Sequence, residues 1–214
     1  MANWLNVNFQ GFDYAIITAI SSLRCGFLTF ISNALTLFFE KGLIIFVVCI
    51  FLCLFRKTRK SAVCIGLAVF IGGVLTNGIV KNLVERTRPF LDENYNALWV
   101  AVGSPNESGY SFPSGHVTAI TSAATAMFLS CNKKWSFVGF ILVPIMAFAR
   151  IYLVAHYPTD CIAGILVGGI AGVVTTALVY YLYKVIEEKN KVKFFKWCIT
   201  FDIRDYFKKG EENK

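Results

Sequence analysis

Long apolar runs, separated by short polar segments, dominate the chain. A run of about 20 apolar residues is long enough to cross a bilayer as an α-helix. Five runs are candidate spans, and they are Gly42–Phe55, Ala62–Val80, His116–Cys131, Trp135–Val154 and Cys161–Val185. The first can extend backwards through Leu35–Phe39, with Glu40 and Lys41 as the only interruption, and the third is short. Backbone polar groups in lipid must be satisfied within the segment, so each run is expected to be helical. The pattern predicts an all-α, polytopic transmembrane helix bundle with five spans.

The apolar region Tyr14–Phe38 precedes these runs, but polar side chains interrupt it. Arg24 lies in its middle, and a charge at the centre of the bilayer is costly. We therefore expect short interfacial amphipathic helices here, and a sixth span is the alternative. The chain is accordingly divided into an N-terminal interfacial segment (1–40), a transmembrane domain (41–185) and a basic tail (186–214).

The composition supports a membrane protein. Hydrophobic residues make up 56% of the chain, charged residues only 16%, and the mean hydropathy is +0.59. Soluble domains carry about 25% charged residues. The seven cysteines include no Cys-x-x-Cys pair, so their spacing indicates neither a disulfide framework nor a metal site.

The net charge of +8 is concentrated beside the predicted spans. Basic residues lie at Arg56–Lys60, at Lys133 and Lys134, and in the tail after the fifth span. By the positive-inside rule, these three places face the cytoplasm. We interpret the tail as a cytoplasmic anchor to anionic lipid, not as a nucleic-acid-binding segment. The loop Phe90–Phe112 contains Glu107 and other acids but no Lys or Arg, so it is expected to face outside.

Polar residues collect at the outer ends of the predicted spans. In KNLVERTRP, Lys81 and Arg88 are seven residues apart, so a helix would present both on one face. Pro89 would end such a helix. Fixed cations on one face suit a phosphate group, although cations also commonly flank a membrane edge. Glu85 and Arg86 are interpreted either as a pair behind this site or as residues of its rim.

The tetrapeptide PSGH, residues 113–116, leads into the third apolar run. Gly115 permits a close approach of the backbone to a ligand, and free N–H groups at a helix start bind anions. The hydroxyl of Ser114 would add a donor, and His116 is one of only two histidines in the chain. A simple capped helix is the alternative, because Ser is a favoured N-cap residue.

The stretch ARIYLVAHYPTD contains Arg150, the second histidine, His156, and Asp160. Pro158 suits the first turn of a helix, so the carboxylate of Asp160 could reach back to the imidazole of His156. Such a bond fixes the tautomer and leaves the other ring nitrogen free to act as a nucleophile. The alternative is an acid that complements the helix dipole.

In their order and spacing, these stretches resemble the signature of the type 2 phosphatidic acid phosphatase (PAP2) superfamily, which is KxxxxxxRP, then PSGH, then SRxxxxxHxxxD. The resemblance covers about residues 42–185. Ala149 stands where the third motif usually has Ser, which removes one hydroxyl near the phosphate. The N-terminus also departs, since small bacterial members often have six spans and here the first is missing or replaced by Tyr14–Phe38.

The resemblance implies a separate catalytic or binding role for each of these residues. The phosphate would be bound by Lys81, Arg88, Ser114, Gly115 and Arg150. His156 would be the nucleophile and form a phosphohistidine, and Asp160 would orient it. His116 would act as the general acid and base. The resemblance implies no cofactor and no metal, because fixed cations would stabilise the developing charge.

The implied function is that of a membrane lipid phosphate or diphosphate phosphatase with its site on the extracytoplasmic side. Undecaprenyl diphosphate is the favoured substrate because the site is expected to face outward, and phosphatidylglycerol phosphate and phosphatidate are alternatives. The expected partners are the lipid phosphate and the bilayer, and no nucleic acid. An anion transporter is disfavoured because the spans contain almost no charge. An inactive scaffold is disfavoured because both histidines and Asp160 are present.

Overall fold

The computed structural model describes residues 1–103, 107–189 and 200–205. Every regular element in these ranges is helical, which confirms the all-α prediction. The α-helices are α1 (Ala2–Ser21), α2 (Gly26–Phe38), α3 (Leu43–Cys53), α4 (Arg56–Gly73), α5 (Lys81–Val84), α6 (Glu93–Val102), α7 (Gly115–Ser130), α8 (Lys133–Ser136), α9 (Val138–Tyr152) and α10 (Pro158–Lys189). A π-helical segment, Val74–Val80, joins α4 to α5, and short 3-10 helices cover Glu40–Gly42 and Pro89–Leu91.

Three helical stretches of the described chain are long and apolar enough to cross a membrane, namely Arg56–Leu91, Lys133–Tyr152 and Pro158–Glu188. They correspond to the predicted second, fourth and fifth spans. Large apolar side chains on their outer faces, such as Phe70 and Leu166, are 58% and 62% exposed. Apolar surface of this extent is normally covered by a partner or by lipid. The chain is therefore a membrane protein.

The remaining predicted spans are shorter or bent. α3 has 11 residues and α7 has 16, whereas a full crossing takes about 20. α1 and α2 meet at 119° and are apolar enough only as a pair, which makes them a broken span or a re-entrant loop. The described residues thus contain three candidate spans, or four with the bent pair, and the five-span topology stays a prediction.

α7 lies at the centre of the bundle, and α10 packs closely along it. A Cβ atom at Gly168 of α10 would lie 2.6 Å from the carbonyl oxygen of Thr118, and one at Gly164 would lie 2.9 Å from that of Ser114. Only a residue without a side chain permits this approach of two helix backbones. The N–H of Ser114 then donates to the carbonyl oxygen of Asp160 at 3.0 Å. This contact fixes the start of α7 beside the start of α10.

The two N-terminal helices pack on the bundle. Ile17 of α1 is fully buried in a cluster that includes Val117 and Met146. The hydroxyl groups of Tyr152 in α9 and Thr29 in α2 lie 2.9 Å apart and share a hydrogen bond. These contacts hold α1 and α2 against the helix ends that carry the sequence motifs.

A short piece of the C-terminal tail lies against the start of α4. The N–H of Arg56 donates to the carboxylate of Asp202 at 3.1 Å, and the N–H of Ile203 donates to the carbonyl oxygen of Leu54 at 3.1 Å. Most of the predicted basic tail, residues 190–199 and 206–214, lies outside the described residues.

Candidate active site

A cavity of about 680 Å³ opens between α2, the end of α4 and the start of α7. Its wall includes residues of all three sequence motifs, namely Lys81, Arg88, Gly115, His116 and His156. The N-terminal region, which the sequence analysis did not assign to the site, contributes Asn33, Thr36, Leu37 and Glu40. Three stretches that are far apart in the sequence therefore meet at one cavity, and α2 closes it.

Lys81 and Arg88 reach this cavity from different backbone conformations. α5 ends at Val84, and Arg88 is extended, with φ of −78° and ψ of 152°. A residue that precedes proline avoids the helical conformation. The expectation that both cations lie two turns apart on one helix is therefore wrong, although both side chains line the same wall.

His156 lies in the tight connection between α9 and α10. Val154 has a φ of 55°, a left-handed conformation that β-branched residues rarely adopt. The N–H groups of Ala155 and His156 both donate to the carbonyl oxygen of Arg150, at 3.1 and 3.3 Å. The connection therefore folds back on the end of α9, and this turn sets the direction of the imidazole.

The two ring nitrogens of His156 face different partners. Nδ1 lies 3.5 Å from Oδ2 of Asp160, longer than a good hydrogen bond but able to tighten when substrate binds. Nε2 lies 3.4 Å from Nη1 of Arg88. Burial and the charges of Arg150 and Arg88 lower the pKa of His156 well below its usual value. The ring is therefore neutral at neutral pH, which is the form that a nucleophile needs.

Arg88 and Arg150 share one carboxylate. Nη1 of Arg88 lies 2.9 Å from Oε2 of Glu107, and Nη2 of Arg150 binds Oε1 of the same side chain. Two guanidinium groups that hold both oxygens of a carboxylate are placed to hold phosphate oxygens. From the sequence, Glu107 was predicted only to lie in the loop Phe90–Phe112, because its partners lie in other segments. The described residues contain no group of three or more His, Cys, Asp or Glu side chains that could hold a metal ion.

The start of α7 supplies the second histidine of the wall. Nε2 of His116 lies 3.2 Å from the carbonyl oxygen of Thr36, and this contact links α7 to α2. Gly115 brings the first turn of α7 to the cavity. Ser114 is fully buried, and it is not part of the cavity wall as the structure describes it. Its role as a phosphate donor stays a prediction.

Asp160 is held by a residue whose role the sequence left open. Arg86 is 1% exposed, and its Nη1 lies 2.7 Å from Oδ1 of Asp160. Its Nη2 lies 2.7 Å from Oδ2 of Asp13 in α1. Arg86 therefore lies behind the site, whereas Glu85 is exposed and is not its partner. Asp13 could have indicated this buried ion pair from the sequence, because an acid within an apolar helix is costly unless it has a partner.

The chain is similar in sequence and in fold to known proteins. An undecaprenyl-diphosphatase from Sulfolobus acidocaldarius is 29% identical over 117 residues, which are 55% of this chain and 54% of that relative. The chain thus spans about half the length of this curated relative. The crystal structure of Aquifex aeolicus LpxE has a TM-score of 0.64 and 25% identity, and the match covers 76% of this chain and 93% of that one.

A second solved structure shares the fold. It is a transmembrane PAP2-type phosphatidylglycerolphosphate phosphatase from Bacillus subtilis, with a TM-score of 0.60 and 23% identity over 90% of this chain and 92% of that one. The family model of the PAP2 superfamily matches residues 61–184, more than half of the chain. This match includes every motif residue from Lys81 to Asp160. The chain belongs to the PAP2 superfamily.

Proposed function

We propose that the chain is a membrane lipid phosphatase in which His156 is the nucleophile. The observation that carries this proposal is the orientation of its ring, with Nε2 beside Arg88 at 3.4 Å and Nδ1 facing Asp160 at 3.5 Å. A phosphoryl group bound by Arg88 would lie next to Nε2. Asp160 would stabilise the positive charge that the ring acquires as it attacks.

The proposed reaction has two steps. In the first, Nε2 of His156 attacks the terminal phosphorus, the bond from this phosphorus to the leaving oxygen breaks, and His116 gives a proton to that oxygen. The leaving oxygen is the bridging oxygen of a diphosphate, which departs with the lipid monophosphate, or the alcohol oxygen of a monophosphate ester. In the second, His116 takes a proton from water, and the water oxygen attacks the phosphohistidine. The N–P bond breaks and phosphate leaves. Lys81, Arg88 and Arg150 bind the phosphoryl oxygens in both steps and stabilise the charge that develops on them.

A lipid substrate is supported by the surroundings of the cavity. Leu37, Val69 and Ala119 form an apolar part of the same wall that contains the cations Lys81 and Arg88 and the two histidines. An isoprenoid or acyl chain could lie along these side chains while its head group reaches His156. We propose undecaprenyl diphosphate as the substrate, with phosphatidylglycerol phosphate or phosphatidate as the alternative.

We also propose that the site faces the extracytoplasmic side and that the tail is cytoplasmic. α4 and α9 run toward the cavity, so their first residues lie at the opposite end of the bundle. The basic residues Arg56–Lys60, Lys133 and Lys134 lie at this opposite end. The positive-inside rule assigns that end to the cytoplasm.

The test is phosphate release by the purified protein from a panel of lipid phosphates and diphosphates. His156→Ala should lower release by a factor on the order of 10³ or more, because the covalent route is lost, while the variant still inserts and folds. EDTA should leave wild-type release unchanged. Near-normal release by His156→Ala would reject the nucleophile. Faster hydrolysis of phosphatidylglycerol phosphate would move the substrate assignment to the alternative.

A further inference from the structure

A buried cluster of charged side chains lies behind His156. The guanidinium group of Arg86 is 2.7 Å from Asp160 through Nη1 and 2.7 Å from Asp13 through Nη2. All three side chains are at most 1% exposed. The second oxygen of Asp160, Oδ2, faces Nδ1 of His156 at 3.5 Å. A continuous line of contacts thus connects α1 to the imidazole.

The remaining polar groups of this cluster are also paired. Nε of Arg86 donates to Asn6 at 2.9 Å, and Nη1 also donates to the hydroxyl of Thr159 at 2.6 Å. The N–H of Thr159 donates to Oδ1 of Asp13 at 3.0 Å, and the ring of Tyr157 lies 3.8 Å from the guanidinium carbon. The Asp160 carboxylate is held on both oxygens, because Oδ1 accepts from Nη1 of Arg86 at 2.7 Å and Oδ2 accepts from the N–H of Tyr157 at 2.9 Å. It cannot rotate away from the imidazole without breaking both hydrogen bonds.

Attachment of α1 to the bundle does not explain these charges. Ile17 of the same helix is fully buried among apolar side chains, and it attaches α1 without any polar group. Burying charged groups costs desolvation energy, and apolar residues of similar volume would avoid that cost. The charges in this cluster therefore point to an electrostatic role in addition to helix packing.

We infer that Asp13 and Arg86 are positioning residues that set the charge and orientation of Asp160. When Nε2 of His156 bonds to phosphorus, Nδ1 keeps its proton and the ring becomes a cation. Arg86 alone would cancel the charge of Asp160. Asp13 adds a second carboxylate, so the cluster of one guanidinium and two carboxylates carries a net charge of −1. This charge stabilises the cationic ring. The inference rests on the proposed function, in which His156 carries the intermediate.

Two substitutions at Asp13 separate its charge from its shape. Asp13→Asn keeps the shape and removes the charge. Asp13→Glu keeps the charge, and a cavity of about 120 Å³ beside Asp13 and Arg86 leaves room for the additional methylene group. Ile17→Ala loosens α1 without touching the cluster, so it is the matched control for helix packing.

The purified full-length variants are compared by kcat, by KM and by the rate of phosphoenzyme formation in rapid-quench experiments. We expect Asp13→Asn to lower kcat and phosphoenzyme formation by about 10- to 100-fold. KM should not change, because the phosphate-binding cations lie elsewhere. Asp13→Glu and Ile17→Ala should keep kcat within about threefold of wild type.

Arg86→Lys is a second test that applies even if Asp13→Asn does not fold. It keeps the net charge of the cluster but loses the planar fork that contacts both carboxylates. We expect kcat to fall by about tenfold with KM unchanged. An unchanged kcat would reject a positioning role for Arg86.

If Asp13 had only a structural role, the variants would rank differently in kcat. The longer side chain of Asp13→Glu would then disturb the protein more than Asp13→Asn does, and activity would follow the unfolding temperature. Wild-type kcat in Asp13→Asn, or an equal loss in Ile17→Ala, overturns the inference. His156→Ala is assayed in parallel. If it still releases phosphate, the proposed function and this inference both fail, whereas an inactive His156→Ala with an unimpaired Asp13→Asn rejects only the role of Asp13.

Discussion

The Glu107 carboxylate lies between Arg88 and Arg150, the two residues that we propose bind the substrate phosphate. Its two oxygens bind one guanidinium each, and the side chain is 25% exposed. A substrate must displace this carboxylate before both guanidinium groups can bind phosphate. Glu107→Gln keeps the size of the side chain and removes its charge, so it should weaken the competition and lower KM.

The expected decrease in KM is estimated from the two contacts that Glu107 makes with Arg88 and Arg150. A hydrogen bond to a charged group contributes about 1.5–3 kcal/mol, and loss of the charge on one partner roughly halves it. Two contacts would together lose about 2 kcal/mol, but solvent at the partly exposed carboxylate screens some of this. A remaining difference on the order of 1.4 kcal/mol corresponds to a tenfold lower KM. kcat should change little, because the proposed displacement of Glu107 precedes the chemical step.

The assay is initial-rate phosphate release as a function of substrate concentration. Burial tends to raise the pKa of Glu107, but the charges of Arg150 and Arg88 outweigh burial and hold this pKa below the usual carboxyl range. The carboxylate therefore stays ionised from about pH 8 to about pH 6, so the ratio of the two KM values should be the same at both. Glu93→Gln is the control, because Glu93 is an exposed acid of the same loop with no ion pair among the described residues. An unchanged or higher KM in Glu107→Gln would show that this carboxylate does not compete with substrate.

Two further predictions concern packing and topology. Gly168→Ala should destabilise the protein in thermal unfolding, because a Cβ 2.6 Å from the carbonyl oxygen of Thr118 causes overpacking of about 1–3 kcal/mol. Its neighbour Gly169 has nothing within 4 Å of a Cβ, so Gly169→Ala should not destabilise, and equal effects of the two variants would refute the packing argument. Asn94→Cys, in a background with the seven native cysteines replaced, should react with an impermeant thiol reagent in intact cells. Labelling only after lysis would reverse the proposed orientation.

Most of what could be predicted about the fold came from the length and the hydropathy of the apolar runs. Ala62–Val80 and Cys161–Val185 fall within candidate spans, because lipid requires long helices with apolar side chains. The angle of 119° between α1 and α2 was not predictable in the same way. The connecting residues 22–25 contain no proline to mark a bend, and the angle depends on how α1 packs against α9 and α10 and how α2 packs against α9.

The three motifs could be recognised in the sequence because each has its own local spacing. The residues that contact the motif residues in the folded protein could not be recognised in this way. Arg86 and Asp13 are 73 residues apart in the sequence, and no local periodicity relates them. Glu107 likewise meets Arg88 and Arg150, which lie in other segments of the chain, only in the folded protein. Such contacts are set by tertiary packing, so a sequence pattern can indicate a costly buried charge but not its partner.

Detection of a phosphohistidine at His156 is the measurement that tests the proposed mechanism most directly. Wild-type protein mixed with a lipid substrate labelled in the transferred phosphate should be quenched within one turnover. We expect a label on the protein that is stable in alkali, labile in acid and located on the peptide that contains His156, with no label in His156→Ala. Substrate turnover without a labelled wild-type protein, or a label on another residue, would contradict it.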